Sequence, residues 1–502
     1  YYTRSFNKHN LNLSVAWEAS SGSSDATNVH YRGFPSGQFH SSNYAAEIYE
    51  KPSRTEGTSR MVSAWATGNY TWNDIYLADF SVRFDGSSDF GSKQRWAPFF
   101  SGGLGVNIHN YEFLKGNEMV NKLKVRASYG RTGKASFPAY AATTMYEALF
   151  DEWYATGFGA VLKALGNNNL TWEKTDKFNV GIEMQFLNRR LTVDADYYHD
   201  KTIDLVNDVS LSQTSGFSSY KDNMGEVLNQ GFELQVRGEV FRNRDWLVAL
   251  WGNMAHNKNK ILKISDSQRA YNQRVKEFYE NIVNEEYGRY NSKYGVPISQ
   301  YEEGQSLTSI WAVKSLGIDP TTGKEIFLNR DGSVSDTWNA TQEVAVGNTE
   351  PKFNGSIGFN AAYKQWSLFA AFQYEWGGQE YNQTLVDRVE NARIQYQNVD
   401  LRVLTDRWKQ PGDIAQFKDI KNADSATMPT SRFVQDKAYL RLSALTLSYD
   451  FNREWIKKYL GMNMLRLEAS TRDFINWNSI RQERGLSYPK SWTVDFSIKA
   501  QF

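Results

Sequence analysis

The sequence lacks cysteine and any long run of apolar residues, and both absences exclude classes of protein. Without cysteine among its 502 residues, the chain has no disulfide bond, no thiolate metal site and no thiol nucleophile. Mean hydropathy is −0.60, and no stretch approaches the roughly 18 apolar residues that a membrane-spanning helix needs. The composition therefore excludes a helical membrane protein.

Clustered charge and grouped histidine are missing as well. The formal net charge is +1 and the basic residues are spread along the chain, so no nucleic-acid footprint is present. The six histidines show no i+3 or i+4 pairing, and no phosphate-binding motif occurs. The sequence predicts no metal, no cofactor and no catalytic group. The acidic segment 85–89 is interpreted as a turn with Gly86 at positive φ, and a calcium loop is the alternative.

The sequence does show strict alternation of apolar and polar residues. In the last eleven residues Val494, Phe496, Ile498 and Ala500 lie on one face, and polar residues lie on the other. Eleven residues tilted by about 45° rise roughly 26 Å, close to the apolar band of an outer-membrane barrel. The pattern recurs, and we predict about fourteen strands. They lie near 10–20, 59–70, 74–85, 97–108, 122–131, 177–187, 191–207, 225–240, 245–257, 354–363, 366–376, 438–451, 464–472 and 492–502.

The connections favour a barrel over a soluble β-sandwich, which also alternates. Long connections, including 132–176, 258–353 and 377–437, alternate with shorter ones such as 188–190, and barrels sort loops this way. Aromatic residues make up 15% of the chain and collect at strand ends, as in an interfacial belt. Two connecting segments, 454–460 and 382–396, are predicted to be helical.

Several motifs resemble the SusC/RagA-like TonB-dependent transporters of the Bacteroidetes outer membrane. The most specific begins at Tyr76 and reads YLADFSVRFDGSSDFGSKQRWAPFFSGGLGVNIHNYEFLKG. Others are LKVRASYGRTGK at 123–134, VGNTEPKFNGSIGF at 346–359 and YLRLSALTLSYDF at 439–451. The similar segments occur in the family's order along nearly the whole chain.

This resemblance implies an all-β transmembrane antiparallel barrel of about 22 strands. Residues 1–502 are expected to supply its C-terminal strands, while the signal peptide, TonB-binding segment, plug and first strands lie outside this sequence. The implied partners are TonB, the lipid bilayer and a SusD-like surface lipoprotein. The implied activity is import of an oligosaccharide. The alternatives are a peptide cargo, a passive porin formed by these strands alone, and a barrel enzyme, for which the sequence shows no nucleophile–base pair.

Cargo contacts are predicted on the long loops, because a ligand arrives there. The loop aromatics can stack on sugar rings, or they can simply pack the loops together. The candidate substrate-binding residues are Trp153, Tyr154, Tyr301, Trp311 and Trp338.

Overall fold

A computed structural model describes most of the chain, and the statements below concern its described residues. These are residues 1–35, 37, 41–91, 95–134, 140, 142–210, 219–223, 225–284, 295–392, 399–422, 427–451, 453–481 and 492–501. Their dominant feature is one 16-stranded antiparallel sheet, in which each strand pairs with the sheet strand that precedes it in the chain. Asn476–Asn478 is the exception, because it pairs with the strand that ends at Asp450.

The sheet strands are long and nearly continuous with one another in sequence. In chain order they are β1 Tyr2–Phe6, β2 His9–Asn28, β3 Ser53–Trp72, β4 Tyr76–Ser87, β5 Trp96–Asn107, β6 Val120–Lys134, β7 Glu173–Phe186, β8 Leu191–Ile203, β9 Glu226–Arg242, β10 Trp246–Lys263, β11 Phe353–Tyr363, β12 Trp366–Tyr381, β13 Val434–Asp450, β14 Met464–Thr471 and β15 Val494–Gln501.

The predicted strands and the all-β class are confirmed, with three differences. The edge strand β1 was not predicted. Strands β2 and β3 each have 20 residues, because their Ser- and Thr-rich ends pair from Ser21↔Arg60 to Asn28↔Ser53 beyond the apolar positions. The connection predicted at 377–437 is shorter, since Gly378↔Lys437 through Tyr381↔Val434 still belong to the ladder. The terminal Phe502 lies outside the described residues.

The remaining elements lie in the connections. Four small two-stranded sheets are Tyr31–Arg32 with Glu47–Ile48, Met145–Tyr154 with Gly157–Ala164, Val206–Ser210 with Ser219–Asn223, and Ser309–Ala312 with Val344–Asn348. A three-stranded sheet comprises Lys314–Ile318, Glu325–Leu328 and Val334–Ser335. The helices are α1 Asp266–Asn284, α2 Gln383–Leu385, α3 Arg402–Thr405 and α4 Arg453–Leu460, with a π-helix at Val386–Glu390. Short 3-10 turns are Ser42–Tyr44, Ile108–Asn110, Ala340–Gln342, Ile420–Asn422 and Ser431–Phe433.

Helix prediction was right at α4 and partly right at 382–396, where α2 and the π-helix together cover 383–390. It missed α1. That helix has a capping box, in which the Gln268 N–H donates to Ser265 Oγ at 3.2 Å and the Ser265 N–H donates to Gln268 Oε1 at 3.0 Å. Tyr271, Val275 and Tyr279 then follow at four-residue spacing. Both signals were readable in the sequence.

The seven longer loop-bearing connections leave one end of the sheet, and the tight turns leave the other. Turns at 7–8, 73–75, 187–190 and 364–365 use left-handed residues, among them Asn73 and Lys364. Sorting by length is not strict, contrary to prediction, because 88–95 at the loop end is shorter than 108–119 at the turn end. The 451–463 connection also is longer than a turn, since it contains α4.

The two faces of the sheet differ in chemistry. On one face, called the apolar face, Val15 and Trp17 are 79% and 77% exposed, so no other part of the described chain covers them. Aromatic rings border this face at both ends. Trp72 stacks on Tyr76 at the turn end with ring centroids 5.3 Å apart, and Phe84 stacks on Trp96 at the loop end, also at 5.3 Å. The two rows match the aromatic belts of a membrane wall.

Two edges bound the sheet. In the described chain β1 pairs only with β2, and β15 pairs only with β14. At the β15 edge, Phe496 lies on the apolar face and is 82% exposed, whereas the Lys499 ammonium lies on the other face, 2.9 Å from Glu468 Oε2.

Phe496→Arg is expected to reduce the amount of assembled barrel, because Arg on a lipid-contacting face costs about 2–4 kcal/mol. Lys499→Ala removes a half-exposed ion pair and should leave assembly within about 1 kcal/mol of the parent. The heat-modifiable mobility of the folded barrel on gels measures both. Equal effects of the two substitutions would show that the faces are assigned wrongly.

Candidate functional site: the polar face and the loop cap

The face opposite the apolar one, called the polar face, is a wall of paired charges. Glu183 on β7 accepts from Lys122 Nζ at 2.6 Å and from Lys124 Nζ at 3.3 Å, both on β6. Arg126 donates to Asp196 on β8 at 2.6 Å. These residues share a face because they occupy alternate positions of adjacent strands in register. The wall is therefore hydrophilic, and charges of both signs are interspersed on it.

Nearer the loops, carboxamides replace the charges. Tyr198 donates its hydroxyl to Asn257 Oδ1 at 2.9 Å, and Asn259 donates to Asn229 Oδ1 at 2.8 Å. The Glu350 carboxylate accepts from the Asn257 side chain and, at 3.2 Å, from the Asn259 N–H. This amide cluster joins strands β8 to β10 to the chain entering β11.

The amide cluster borders a cavity with a volume of about 990 Å³. Asn257, Asn259 and Gln379 contribute amides to its lining. Trp376 also lines it, but this residue pairs with Phe353 and lies beside it on the apolar face, with the two ring centroids 6.3 Å apart. A pocket lined by hydrogen-bonding amides suits an uncharged polar ligand.

Above the wall, the connections 264–352 and 382–433 pack into one unit, called the cap. In the first of its two apolar clusters, Val275 and Tyr279 of α1 pack on Ala340 with Trp338 and Met428. The second comprises Leu385, Val386, Val389, Ala392, Val403, Phe417 and Phe433. Because Met428 belongs to one connection and α1 to the other, the two loops share a core.

A buried ion cluster also joins the two loops. Arg432 donates to Glu325 at 2.8 Å and to Glu390 at 2.7 Å. Burial alone would raise the pKa of Glu325, but Arg432 keeps the pKa of that carboxyl below its usual range. Burial lowers the pKa of the nearby Lys418 to about 8. Removing Arg432 would leave two buried carboxylates without their shared cation, which is the costly way to break such a pair.

Glu343 is a second buried carboxyl in the cap. It is fully buried, accepts from the Gln300 side-chain amide through Oε2, and its Oε1 has no hydrogen-bond partner within the described part of the chain. Burial raises the pKa of Glu343 to about 8, although Gln300 and the more distant Lys276 and Arg330 act in the opposite direction. The folded cap therefore favours the protonated form.

The structure separates the five predicted substrate-binding residues. Trp153 and Tyr154 end one strand of the 145–164 hairpin; the Trp153 side chain lies outside the described residues, and Tyr154 is 68% exposed. Tyr301 packs in the cap, with its ring 5.6 Å from that of Tyr271. Trp311 is 2% exposed, and Trp338 donates its indole N–H to the Pro429 carbonyl at 2.9 Å. Tyr154 is thus the most exposed of the four predicted residues whose side chains are described.

Sequence reasoning missed the amide cluster. Asn229, Asn257 and Asn259 are ordinary polar positions until pairing brings them together. The segment at 85–89 also differs from prediction, since Gly86 does not have positive φ. A Cβ at Gly86 would lie 2.6 Å from the Trp96 ring, so glycine is needed for that contact.

The described residues offer neither a metal site nor a membrane-spanning helix. Within those ranges, no group of three or more His, Cys, Asp and Glu side chains could hold a metal ion. No helix there is both long enough and apolar enough to cross a membrane.

Comparisons with known proteins agree on a single family. The family model "TonB dependent receptor-like, beta-barrel" matches residues 1–470. TonB-dependent receptor P3 of Formosa agariphila is 26% identical over 484 residues, which are 95% of this chain and 47% of that protein. TonB-dependent receptor SusC of Bacteroides thetaiotaomicron is 31% identical over 282 residues, 51% of this chain and 28% of that protein.

A solved structure supports the same fold. The RagAB peptide importer in its open-open state superposes with a TM-score of 0.80 at 22% identity, covering 100% of this chain and 54% of that chain. The present chain thus spans about half the length of the Formosa agariphila receptor and of the RagAB chain.

Glu343→Gln is expected to remove a pH dependence of cap stability. Since the folded pKa of Glu343 lies above its unfolded value, the cap should lose stability as pH rises between about 4.5 and 8, by roughly 2–4 kcal/mol. Hydrogen exchange of the Ser309–Ala312 and Val344–Asn348 amides, corrected for intrinsic rates, measures the opening free energy. The exposed Glu302→Gln is the matched control. A parental pH profile in Glu343→Gln would contradict the prediction.

Proposed function

Because this chain belongs to the TonB-dependent receptor family, through the family's β-barrel, we propose that it forms the wall and outer loops of a nutrient importer of the SusC/RagA type. The family resides in the outer membrane of Gram-negative bacteria. Energy would come from TonB acting on a plug held inside the barrel. The observation that carries the proposal is a continuous antiparallel wall, apolar on one face and charge-paired on the other, within a family match that covers residues 1–470.

The polar face fits the lumen side of such a wall. Its charges of opposite sign are interspersed, as Lys122 and Lys124 are with Glu183 and Arg126 is with Asp196, so the surface holds water without a large field of one sign. A moving plug and a passing solute both need a wetted wall that does not trap charge. The apolar face, with its two aromatic rows, then contacts lipid.

We further propose that the cargo is an oligosaccharide. The chain has a net charge of +1, which provides no counter-field for a strongly anionic cargo. The exposed ring of Tyr154 supplies a stacking surface, and the amide-lined cavity supplies hydrogen bonds. A peptide is the competing cargo, because carboxamides also bond peptide backbones. Titration with a neutral oligosaccharide and with an uncharged peptide distinguishes the two.

Replacing Trp153 and Tyr154 together by Ala is expected to weaken cargo binding by one to a few kcal/mol, because both are hairpin aromatics on the loop side. Trp311 is a poor second target, since its burial would confound packing with binding. Calorimetry on the purified protein measures the affinity. Trp455→Ala, which removes a half-exposed ring from the turn-side helix α4, is the control and should bind cargo as the parent does.

The partner on the loop side is proposed to be a SusD-like surface lipoprotein that docks on the cap. Three apolar cap residues are open to solvent, with Leu401 71%, Leu404 66% and Ile414 96% exposed. Side chains of this kind supply the buried centre of an interface when a partner covers them. They lie on the surface of the loop unit, which an external partner reaches first.

Ile414→Asp with Leu404→Asp is expected to weaken lipoprotein co-purification by about tenfold or more, because apolar side chains at the centre of an interface carry much of its binding energy. Barrel assembly should be unchanged, because neither residue belongs to the ladder. Phe113→Asp, at a 75% exposed residue of the turn end, is the matched control. Undiminished co-purification with the double variant would exclude this surface as the docking site.

A further inference from the structure

A groove crosses the apolar face over strands β2 to β5. Its two adjoining parts have volumes of about 430 and 230 Å³ and share Tyr70, Ala78 and Leu104. Phe80 and Leu11 complete the side walls of the larger part, and Phe80 and Leu104 are 50% and 69% exposed. The groove therefore opens outward from the wall and is lined chiefly by carbon.

The floor of the groove is made by glycine. Gly68 on β3 lies under Phe80, and a Cβ there would meet the ring at 2.2 Å. Gly102 on β5 has more room. The atom nearest to a Cβ added there is the Asp79 carbonyl oxygen, at 3.7 Å, and open space lies beyond it. The neighbouring Gly103 faces Asp79 on the polar side, whereas Gly102 faces the groove.

One end of the groove is amphipathic. The smaller part ends at Trp72 and Tyr76, which belong to the aromatic row of the turn end. Tyr111 donates its hydroxyl to Tyr76 at 2.8 Å, so polar atoms are gathered where the carbon-lined channel stops. A carbon-lined channel that ends at interfacial tyrosines and a tryptophan matches a lipid chain attached to a polar headgroup.

We propose that this groove binds an acyl chain of a membrane phospholipid, with the headgroup against the Trp72–Tyr76 row. Bilayer lipid is the occupant because the groove is continuous with the exposed apolar face, which includes Val15 on β2 and Val82 on β4. A groove in that face that stayed empty would leave carbon surface without van der Waals partners. The inference rests on the placement of the wall in the membrane and is independent of the cargo.

The test compares phospholipid binding by three forms of the protein extracted from outer membranes: the parent, Gly102→Leu and Val15→Leu. Gly102→Leu places a side chain in the groove, and its Cβ makes only an ordinary van der Waals contact, 3.7 Å from the Asp79 carbonyl oxygen. Val15→Leu adds carbon to the same face outside the groove. Each is delipidated in detergent and titrated with phosphatidylethanolamine, and native mass spectrometry counts the bound lipid. Heat-modifiable mobility confirms that all three are folded.

One phosphatidylethanolamine is expected to bind the parent and Val15→Leu with equal affinity, and Gly102→Leu about tenfold more weakly, since the leucine displaces roughly two methylenes from the groove. Equal binding by all three forms would overturn the proposal. The proposal would also be overturned if the parent bound a second copy of the chain in place of lipid and Gly102→Leu did not, because the groove would then be a protein interface.

Discussion

In the core of a bilayer no water bonds the backbone, so each N–H and C=O of the wall must find its partner on a neighbouring strand. The ladder meets that requirement by pairing each strand from β2 to β14 with a neighbour on both sides. Once strands pair in register, successive side chains point to opposite faces of the sheet. One face can then be apolar while the other carries charged side chains. The lipid contact, the wetted lumen and the height of the aromatic rows all depend on this pairing.

The cap obeys a different constraint. Its loops have no ladder to hold them, so they are organised by two small apolar clusters and by Arg432 between two buried carboxylates. The shared Arg432 holds the two loops side by side, because Glu325 or Glu390 would be too costly to bury without it. The proposed docking of a partner on the cap therefore depends on a unit assembled from distant parts of the chain. Exposed side chains such as Ile414 and Leu404 are displayed on loops held in this way.

The sequence by itself determined the wall. Alternation such as that of Val494, Phe496 and Ile498 is a local property, and the pleat converts it directly into two faces. Strand order was predictable too, since short turns force neighbouring strands to pair. The polar ends of β2 and β3 were not predicted, because residues such as Ser21 do not alternate with apolar residues. Only their pairing shows that they belong to strands. Helix α1 was not predicted, although its capping box and the four-residue spacing of its apolar positions were present in the sequence.

Only the tertiary structure decided what the loops and glycines do. Trp311 and Tyr154 look alike in sequence, but cap packing buries the first and leaves the second open. Gly102 and Gly103 are adjacent, yet one lies on the groove floor and the other beneath Asp79. The amide cluster joins Asn229 to Asn259 and Glu350, which are far apart in the chain. Such contacts depend on which segments meet in space, and local periodicity carries no information about that.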